Sequence, residues 1–441
     1  MIDNKLGTKR VSLLFIEYVM PGILGMIILS LYGIIDGLFI GRTIGPIGIA
    51  AMNLTLPYLS IVMALSITIT VGGTTFIGIE LGKGNKKGTK QIFTLTAVTM
   101  IAVGAIYSII SFCFSGSIAK LLGATSSTFT YVKDYILAIS PFIVFYMFSI
   151  LLDLVLRAVG KPVFSMVALI FSSILNIILD YIFVIKFSMG PKGAGLATGL
   201  AFTIGCLVYG IPYFKKDFPA KIIKTKIDFK IIGKVLYNGS SEGLTEIAAA
   251  VVTFLFNLTL LKYLGEMGVS AYTVINYVCY ITTAILIGIS DGIKPLISYN
   301  YGAKNYNRIK SVFKLSIITG LFVGIFTILI VRFYGENLVK IFVDADKDFL
   351  EITLEGAKIY TLAFLINGIN IVTSAYFTSI AKAKESMIIS LCRGLLLIPV
   401  ALIILPNIFG VNGIWMSVPI AEIITLIISI TMFLRKGKEK Y

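Results

Sequence analysis

The stretch GLFIGRTIGPIGIAAMN, residues 37–53, aligns with NLTLLKYLGEMGVSAYT, residues 257–273, at an offset of 220 positions. The matched positions include Gly45 with Gly265, Gly48 with Gly268 and Ala51 with Ala271. Matches of small residues at one fixed offset are typical of a membrane protein built from two related halves. The chain is therefore predicted to contain an internal repeat.

A second pair of segments shares this offset. LGKGNKKGTKQIF, residues 81–93, aligns with YGAKNYNRIKSVF, residues 301–313, and pairs Asn85 with Asn305. Further matches are Gly193 with Gly413 at the same offset, and RAVGK (157–161) with IAKAK (380–384) at an offset of 223. Helix composition does not explain glycine and asparagine matches inside polar connections, so the repeat is expected to cover both halves.

The composition is that of a membrane protein. Of the 441 residues, 57% are hydrophobic and only 14% are charged, and the mean hydropathy is +0.95. Apolar segments of about 20 residues, the length that spans a bilayer, recur about twelve times. They lie at roughly 13–40, 47–79, 91–114, 133–156, 163–186, 194–214, 235–261, 268–299, 311–334, 357–380, 387–405 and 412–434. The fold class predicted is an all-α polytopic membrane protein with about twelve transmembrane helices.

Six spans in each half direct both halves into the membrane from the same side. The halves are then related by a pseudo-two-fold axis along the membrane normal, an arrangement suited to alternating access. The predicted units are an N-lobe over residues 1–214, a cytoplasmic linker over 215–234 and a C-lobe over 235–441. The linker, KKDFPAKIIKTKIDFKIIGK, is expected to carry a short amphipathic helix on the membrane surface.

The net charge of +16 reflects membrane topology. With the N-terminus in the cytoplasm, the cytoplasmic segments hold 26 Lys and Arg residues and the external segments hold ten. This asymmetry follows the positive-inside rule. Both termini are therefore predicted to be cytoplasmic, and no nucleic-acid partner is predicted.

Few residues are available for catalysis. The chain has no histidine, and its four cysteines lie singly in apolar segments, without disulfide or zinc spacing. The sequence shows no nucleophile–base pair and no cluster of metal ligands. We therefore expect neither an enzyme nor a bound cofactor.

Asp36 and Asp180 are acidic residues inside predicted transmembrane helices. Asp36 follows Tyr32 by one helical turn, and Asp180 follows Asn176 by one turn in LNIILDYIFVI, residues 175–185. A charge at the centre of a membrane helix costs roughly 2.5 to 3.5 kcal/mol on insertion scales and indicates a functional site by default. The alternative is that both acids bond to neighbouring hydroxyls and serve only to pack helices.

Together with Thr198 in the sixth span, these side chains form a set of oxygen ligands. Such a set can hold Na⁺, most directly at Asp36, Asn176 and Asp180. It can also let one carboxylate take up a proton, because burial and a like-charged neighbour both favour the neutral form. The residues alone leave H⁺ and Na⁺ equally open.

Other polar residues in the spans have two interpretations each. Asp153 lies four residues before Arg157, which indicates either an ion pair or a third acid of the N-lobe. Four C-lobe residues indicate either a polar network with a role in transport or two local ion pairs: Glu242, Glu246, Asp291 and Lys294. The tenth span offers Asn367 and Asn370 but no carboxylate.

Among the prolines within predicted spans, we consider Pro21 in the first and Pro295 in the eighth. Each removes a helical hydrogen bond and can kink its helix. They are candidate hinges, although a static kink is the simpler reading.

The sequence resembles the multidrug and toxic compound extrusion (MATE) family, most closely its bacterial DinF-like and MepA-like branch. The resemblance covers the whole chain and is carried by four motifs in the family's order. They are LYGIIDGLFIGRTIGPIGIAAMNLTLPY (31–58), VLRAVGKP (155–162), LNIILDYIFVIKFSMGPKGAGLATGLA (175–201) and KPLISYNYGAKNYNRIK (294–310).

This resemblance implies an antiporter in the bacterial plasma membrane that exports bulky organic cations in exchange for protons or sodium ions. It implies two six-helix lobes around a V-shaped cleft, and a monomer in the lipid bilayer. It also implies that Tyr32, Asp36, Asn176, Asp180 and Thr198 form a cation site in the N-lobe. The tenth span departs from the family's sodium-coupled branch because it has no carboxylate, which puts coupling by an acid there in doubt. Lys294 is a further departure, at a position where the family more often has Gln.

One alternative function and one alternative fold are considered from the sequence. A flippase of the related MOP-type fold would carry a lipid-linked or anionic substrate and would need a cationic cavity. The major facilitator fold also has parallel halves, but its characteristic Asp and Arg residues are missing from ELGKGNKKGTK, residues 80–90. Binding of an organic cation, compared with an anionic lipid, separates the transporter classes.

Overall fold

The structure, a computed structural model, describes residues 5–342 and 347–438, and most of these residues are helical. Eleven helices are long and apolar enough to cross a membrane, and one of them, Phe229–Gly302, consists of two arms that meet at Gly265. The described residues thus form the twelve predicted spans. In chain order they are α1 (Val11–Ile44), α2 (Pro46–Gly82), α3 (Lys86–Leu121), α4 (Phe129–Ala158), α5 (Pro162–Lys186), α6 (Gly190–Phe214), α7 (229–264), α8 (266–302), α9 (Tyr306–Phe342), α10 (Lys347–Ser379), α11 (Ala383–Phe409) and α12 (Val411–Lys438).

The repeat is visible in the backbone. Gly265 has φ 65° and ψ −154°, and Gly45, 220 positions earlier, has φ 75° and ψ −154°. A side chain is disfavoured in this conformation, which explains why both halves place glycine between their first two helices. Helices α1–α6 are hereafter the N-terminal bundle and α7–α12 the C-terminal bundle.

Other left-handed residues repeat at nearly the same offset. Gly84 and Lys304 both have positive φ, at 73° and 59°, and so do Gly190 and Gly410, at 57° and 58°. In the middle of each half the equivalent pair is Gly160 and Ala381, at φ 92° and 57°. The offset there is therefore 221, and the alignment at 223 is wrong by two positions because it followed residue types rather than the turn.

The linker contains no amphipathic helix. Residues 215–228 are non-helical, and α7 begins at Phe229, six positions before the predicted start of the C-lobe. Pro219 lacks a backbone donor, and the flanking Phe218 and Ala220 are buried. The backbone N–H of Ile223 donates to Oγ1 of Thr94 in α3 at 3.0 Å. Packing onto the N-terminal bundle thus replaces the predicted surface helix.

The two bundles meet mainly through α1 and α2 on one side and α7 and α8 on the other. Their backbones touch at glycines: a Cβ on Gly22 would lie 2.5 Å from the carbonyl oxygen of Gly288, and one on Gly239 would lie 1.8 Å from that of Thr68. Small residues permit this approach. These contacts lie in the halves of the helices nearest the linker, whereas Gly33, further along α1, has nothing within 4 Å of its Cβ position.

Candidate functional site

Asp180 lies at the end of the α-helical part of α5. The next six residues, Tyr181–Lys186, form a π-helical turn, a rare geometry that is frequent at functional sites. The side chain of Asp180 is fully buried, and neither of its carboxylate oxygens has a hydrogen-bond partner among the described residues. A buried carboxylate in this condition requires a cation or a proton for compensation.

One turn before Asp180, Asn176 connects α5 to α6. Its Nδ2 donates to Oγ1 of Thr198 at 3.4 Å, and both side chains are buried. The amide hydrogens are thereby directed to Thr198, while Oδ1 of Asn176 remains without a partner among the residues that the structure describes. The amide therefore presents an acceptor oxygen close to the acid.

Helix α1 brings the remaining two residues to this place. Tyr32 and Asn176 line one cavity of about 10 Å³. Helix α1 packs along α5 and along the π-helical turn after Asp180, so Asp36 and Tyr32 lie near Asp180. Oδ1 of Asp36 is buried and has no partner within the described chain. The structure thus brings together all five residues of the predicted N-lobe site.

The chemistry of this cluster is that of a site for a small cation. Four buried oxygens lack a partner among the described residues: Oδ1 of Asp36, Oδ1 of Asn176 and both oxygens of Asp180. Hard cations prefer such carboxylate and amide oxygens, and a proton can neutralise one acid. The cavity is far smaller than the roughly 300 to 1,000 Å³ of a drug-sized pocket, so an organic cation does not fit there.

The other intramembrane acid of the N-terminal bundle, Asp153, is compensated. Oδ2 accepts a hydrogen bond from Nη2 of Arg157 at 2.8 Å, and Oδ1 accepts one from Ser165. Ser165 also accepts from Nε of Arg157 at 2.9 Å. Asp153 therefore makes the predicted ion pair with Arg157.

In the C-terminal bundle, three of the four predicted polar residues are joined. Nζ of Lys294 lies 3.1 Å from Oε1 of Glu242 and 3.0 Å from Oδ1 of Asp291. Glu246, one turn after Glu242, is half-buried and has no ion-pair partner within 4 Å in the described part of the chain. The network is thus an ion-paired triad with Glu246 beside it.

A second buried carboxylate, Glu422 in α12, was not among the residues predicted from the sequence. Its Oε1 accepts from Nε of Arg393 at 3.1 Å and from Nδ2 of Asn367 at 2.9 Å. Its Oε2 accepts from Nδ2 of Asn370 at 2.6 Å. The tenth span therefore does contact a carboxylate, supplied by another helix. A lone acid in the apolar run VPIAEIITLI (418–427) was the available signal.

The internal repeat relates the Arg393–Glu422 ion pair to equivalent positions in the N-terminal bundle. Arg393 lies between the turns with offsets of 221 and 220 and corresponds to Ser172 or Ser173, and Glu422 corresponds to Phe202. Ser173 and Phe202 line the small cavity beside Asn176. The C-terminal bundle thus carries an internal ion pair at the positions where the N-terminal bundle has a cavity.

The two candidate hinges, Pro21 and Pro295, both lie inside continuous helices. The backbone break in the long helix lies instead at Gly265. Pro21 precedes Gly22, which packs on Gly288, so it adjoins the contact between the bundles. A hinge role for either proline stays a prediction.

Comparison with known proteins identifies relatives over nearly the whole chain. The sequence profile of the MatE family matches residues 21–182 and 243–403. Multidrug export protein MepA of Staphylococcus aureus (strain MSSA476) is 28% identical over 412 residues, which cover 92% of this chain and 90% of that protein. MepA of Staphylococcus haemolyticus (strain JCSC1435) is 28% identical over 433 residues, covering 96% and 94%.

Solved structures match the fold closely. An outward-facing multidrug resistance MATE family transporter of the MOP superfamily has a TM-score of 0.91 at 20% identity, covering 98% of this chain and 99% of that chain. A MOP superfamily transporter from Pyrococcus furiosus has a TM-score of 0.89 at 20% identity, covering 98% and 99%. The helical architecture is therefore that of the MOP-type fold.

Proposed function

The chain belongs to the MATE family of multidrug efflux transporters, and on this premise we propose that it exports organic cations in exchange for H⁺ or Na⁺. Membership of this family confirms the predicted resemblance and the prediction that the protein is not an enzyme. The proposal itself concerns the coupling ion, its site and the charge of the substrate.

The main support for the proposal is that Asp36 and Asp180 have buried carboxylate oxygens without hydrogen-bond partners among the described residues. Two acids share a buried site, and three of their oxygens lack a partner among the described residues. An ion or proton that neutralises this pair lowers the free energy needed to enclose the two acids away from water. Occupancy of the site can then shift the equilibrium between two conformations, because the ion interacts differently with each.

Coupling is assigned to the N-terminal bundle because most other acids within the spans already have internal cations. Asp153 is paired with Arg157, Asp291 with Lys294 and Glu422 with Arg393. An acid held by a tethered cation gains less from a mobile one. Among the described residues Glu246 also lacks an ion-pair partner, but Lys294 pairs with Glu242 one turn before it, whereas neither Asp36 nor Asp180 has a cation within 4 Å.

The direction of exchange follows from the proposed orientation. With the linker in the cytoplasm, as its lysines predict, the glycine contacts between the bundles close the cytoplasmic side. The ion then enters from outside as the organic cation leaves, and the ion is released inward after the bundles rearrange. This assignment also places both chain ends in the cytoplasm.

The substrate is proposed to be cationic because the buried cations of the spans are engaged. Arg157, Lys294 and Arg393 each contact a carboxylate. A flippase for an anionic lipid would need such cations to be available, so the structure offers the alternative function no support.

The experiment is ethidium efflux from proteoliposomes that contain the purified protein. One preparation receives an imposed pH gradient and another an imposed sodium gradient, each at zero membrane potential. Efflux driven by one gradient identifies the ion, and Asp180→Asn should abolish that response. Efflux that ignores both gradients, or that survives Asp180→Asn at equal protein content, contradicts the proposal.

A further inference from the structure

A basic pocket lies where the linker meets the N-terminal bundle. It is a cavity of about 180 Å³ lined by Leu81, Lys86, Lys90, Lys216, Asp217, Phe218 and Pro219. At about 30 Å³ per water molecule in the liquid, it has room for a phosphate group. It lies far along the chain from the acids of the coupling site, and no step of the proposed exchange uses it.

The linker wall of this basic pocket is held in place. Phe218 is 4% exposed, and its ring centroid lies 4.3 Å from that of Tyr213. Ala220 is buried, and the hydrogen bond from Ile223 to Thr94 fixes the segment beyond it. Lys216 is therefore presented from a linker segment that packs against α3.

The charges around the pocket are unbalanced. Lys86 and Lys90 lie one turn apart on α3, and Lys216 faces the same cavity from the linker. Within the described residues none of the three has a carboxylate within 4 Å, although Asp217 also lines the cavity. Nearby Lys83, in contrast, lies 2.7 Å from Glu80. Three ammonium groups line one cavity beside a single carboxylate, so their mutual repulsion favours the binding of a further anion.

The helix dipole, the lysines and the apolar wall of the basic pocket all suit the binding of a phosphate group. Helix α3 begins at Lys86, so the positive end of its dipole lies at the cavity. Lysine binds phosphate as a point charge. The apolar side chains of Leu81 and Phe218 form part of the wall, and lysine stems can lie along such surfaces while the ammonium groups reach the anion.

We propose that this basic pocket binds the phosphate of an anionic membrane lipid such as phosphatidylglycerol. A lipid is favoured over a free phosphate because the cavity lies at the ends of α2 and α3, at the level where headgroups lie, and has an apolar wall. Basic pockets between membrane helices on the cytoplasmic side are recognised sites for acidic headgroups. The bound lipid would join the linker to α3.

The test uses the full chain purified in neutral detergent. Native mass spectrometry measures occupancy as phosphatidylglycerol or phosphatidylcholine is added, with and without inorganic phosphate. The triple variant Lys86→Gln, Lys90→Gln, Lys216→Gln removes the pocket charges. The matched control Lys224→Gln, Lys226→Gln, Lys230→Gln removes the same charge from the exposed linker and the start of α7.

Wild type should bind phosphatidylglycerol in preference to phosphatidylcholine, and the pocket variant should lose about tenfold or more in affinity. The control should stay within about twofold of wild type, and Arg replacements at the three pocket positions should retain binding. Equal losses in both Gln variants would indicate diffuse attraction and overturn the proposal. Displacement by millimolar inorganic phosphate would identify a free anion as the ligand and would also overturn it.

Gel filtration checks that the pocket variant is folded. If it is not monodisperse, the single variants Lys90→Gln and Lys216→Gln replace it, each compared with Lys224→Gln. Loss of affinity in the first two but not the third supports the proposal, and equal affinity in all three contradicts it.

Discussion

Nε of Arg393 donates to Oε1 of Glu422 at 3.1 Å and thereby ties α11 to α12 inside the C-terminal bundle. Asp180, the buried acid of the N-terminal bundle, has no such donor among the described residues. The two acids should therefore respond in opposite ways to removal of their charge.

Asp180→Asn should abolish ion-driven export without loss of stability. The substitution removes a buried charge that has no internal partner, so the thermal midpoint in detergent should equal or exceed that of wild type. Ethidium efflux and the melting temperature are measured on the same preparation. Drug resistance at the wild-type level in cells with normal amounts of the variant would argue against this role.

Glu422→Gln should destabilise the protein, because it leaves the largely buried Arg393 without a negative partner. Removal of one member of a buried ion pair costs about 3 to 5 kcal/mol. The double variant Arg393→Gln, Glu422→Gln should recover much of this loss, and a double-mutant cycle of unfolding free energies measures the coupling. Additive effects would show that the two groups do not interact.

Thr198→Val should weaken ion binding without changing the shape of the site. Valine replaces the hydroxyl that accepts from Asn176, so the amide is no longer oriented. A lost hydrogen bond of about 1 kcal/mol corresponds to about a fivefold rise in the ion concentration at half-maximal efflux. The maximal rate should change little. Thr203→Val, on the same helix and bonded only to the backbone of Gly199, is the control.

Gly239→Ala should prevent close packing of the bundles near the linker. Its new Cβ would meet the carbonyl oxygen of Thr68 at 1.8 Å, and overpacking of this kind costs about 1 to 3 kcal/mol or more. Export should fall at least tenfold. Gly233 lies on the same helix and has no atom within 4 Å of its Cβ position. The control variant Gly233→Ala should therefore leave export unchanged. Equal efflux by the two variants would contradict a role for this contact.

Much of the fold was predictable from the sequence. Span length is set by bilayer thickness, and the left-handed turn at Gly45 and Gly265 needs glycine in both halves. The linker was not predictable in the same way, because its lysines and apolar residues also suit a surface helix. Burial of Phe218 and the bond from Ile223 to Thr94 decide its extended course.

The five residues of the N-terminal site were indicated by one-turn spacing and by the family resemblance, and the structure brings them together. Glu422 was overlooked because its partners come from α10 and α11, more than 25 positions away along the chain. Periodicity reports which residues share one helix face, and it contains no information on which side chain of another helix will meet them.

By itself the sequence determined the number of spans, the duplicated halves and the acids placed within apolar helices, since these follow from hydropathy and local backbone preference. Tertiary structure alone decided which acids are paired with a cation on another helix, as Glu422 is with Arg393, and which have no such partner. Whether a carboxylate meets an arginine or another carboxylate depends on helix packing, and that contact determines its charge balance.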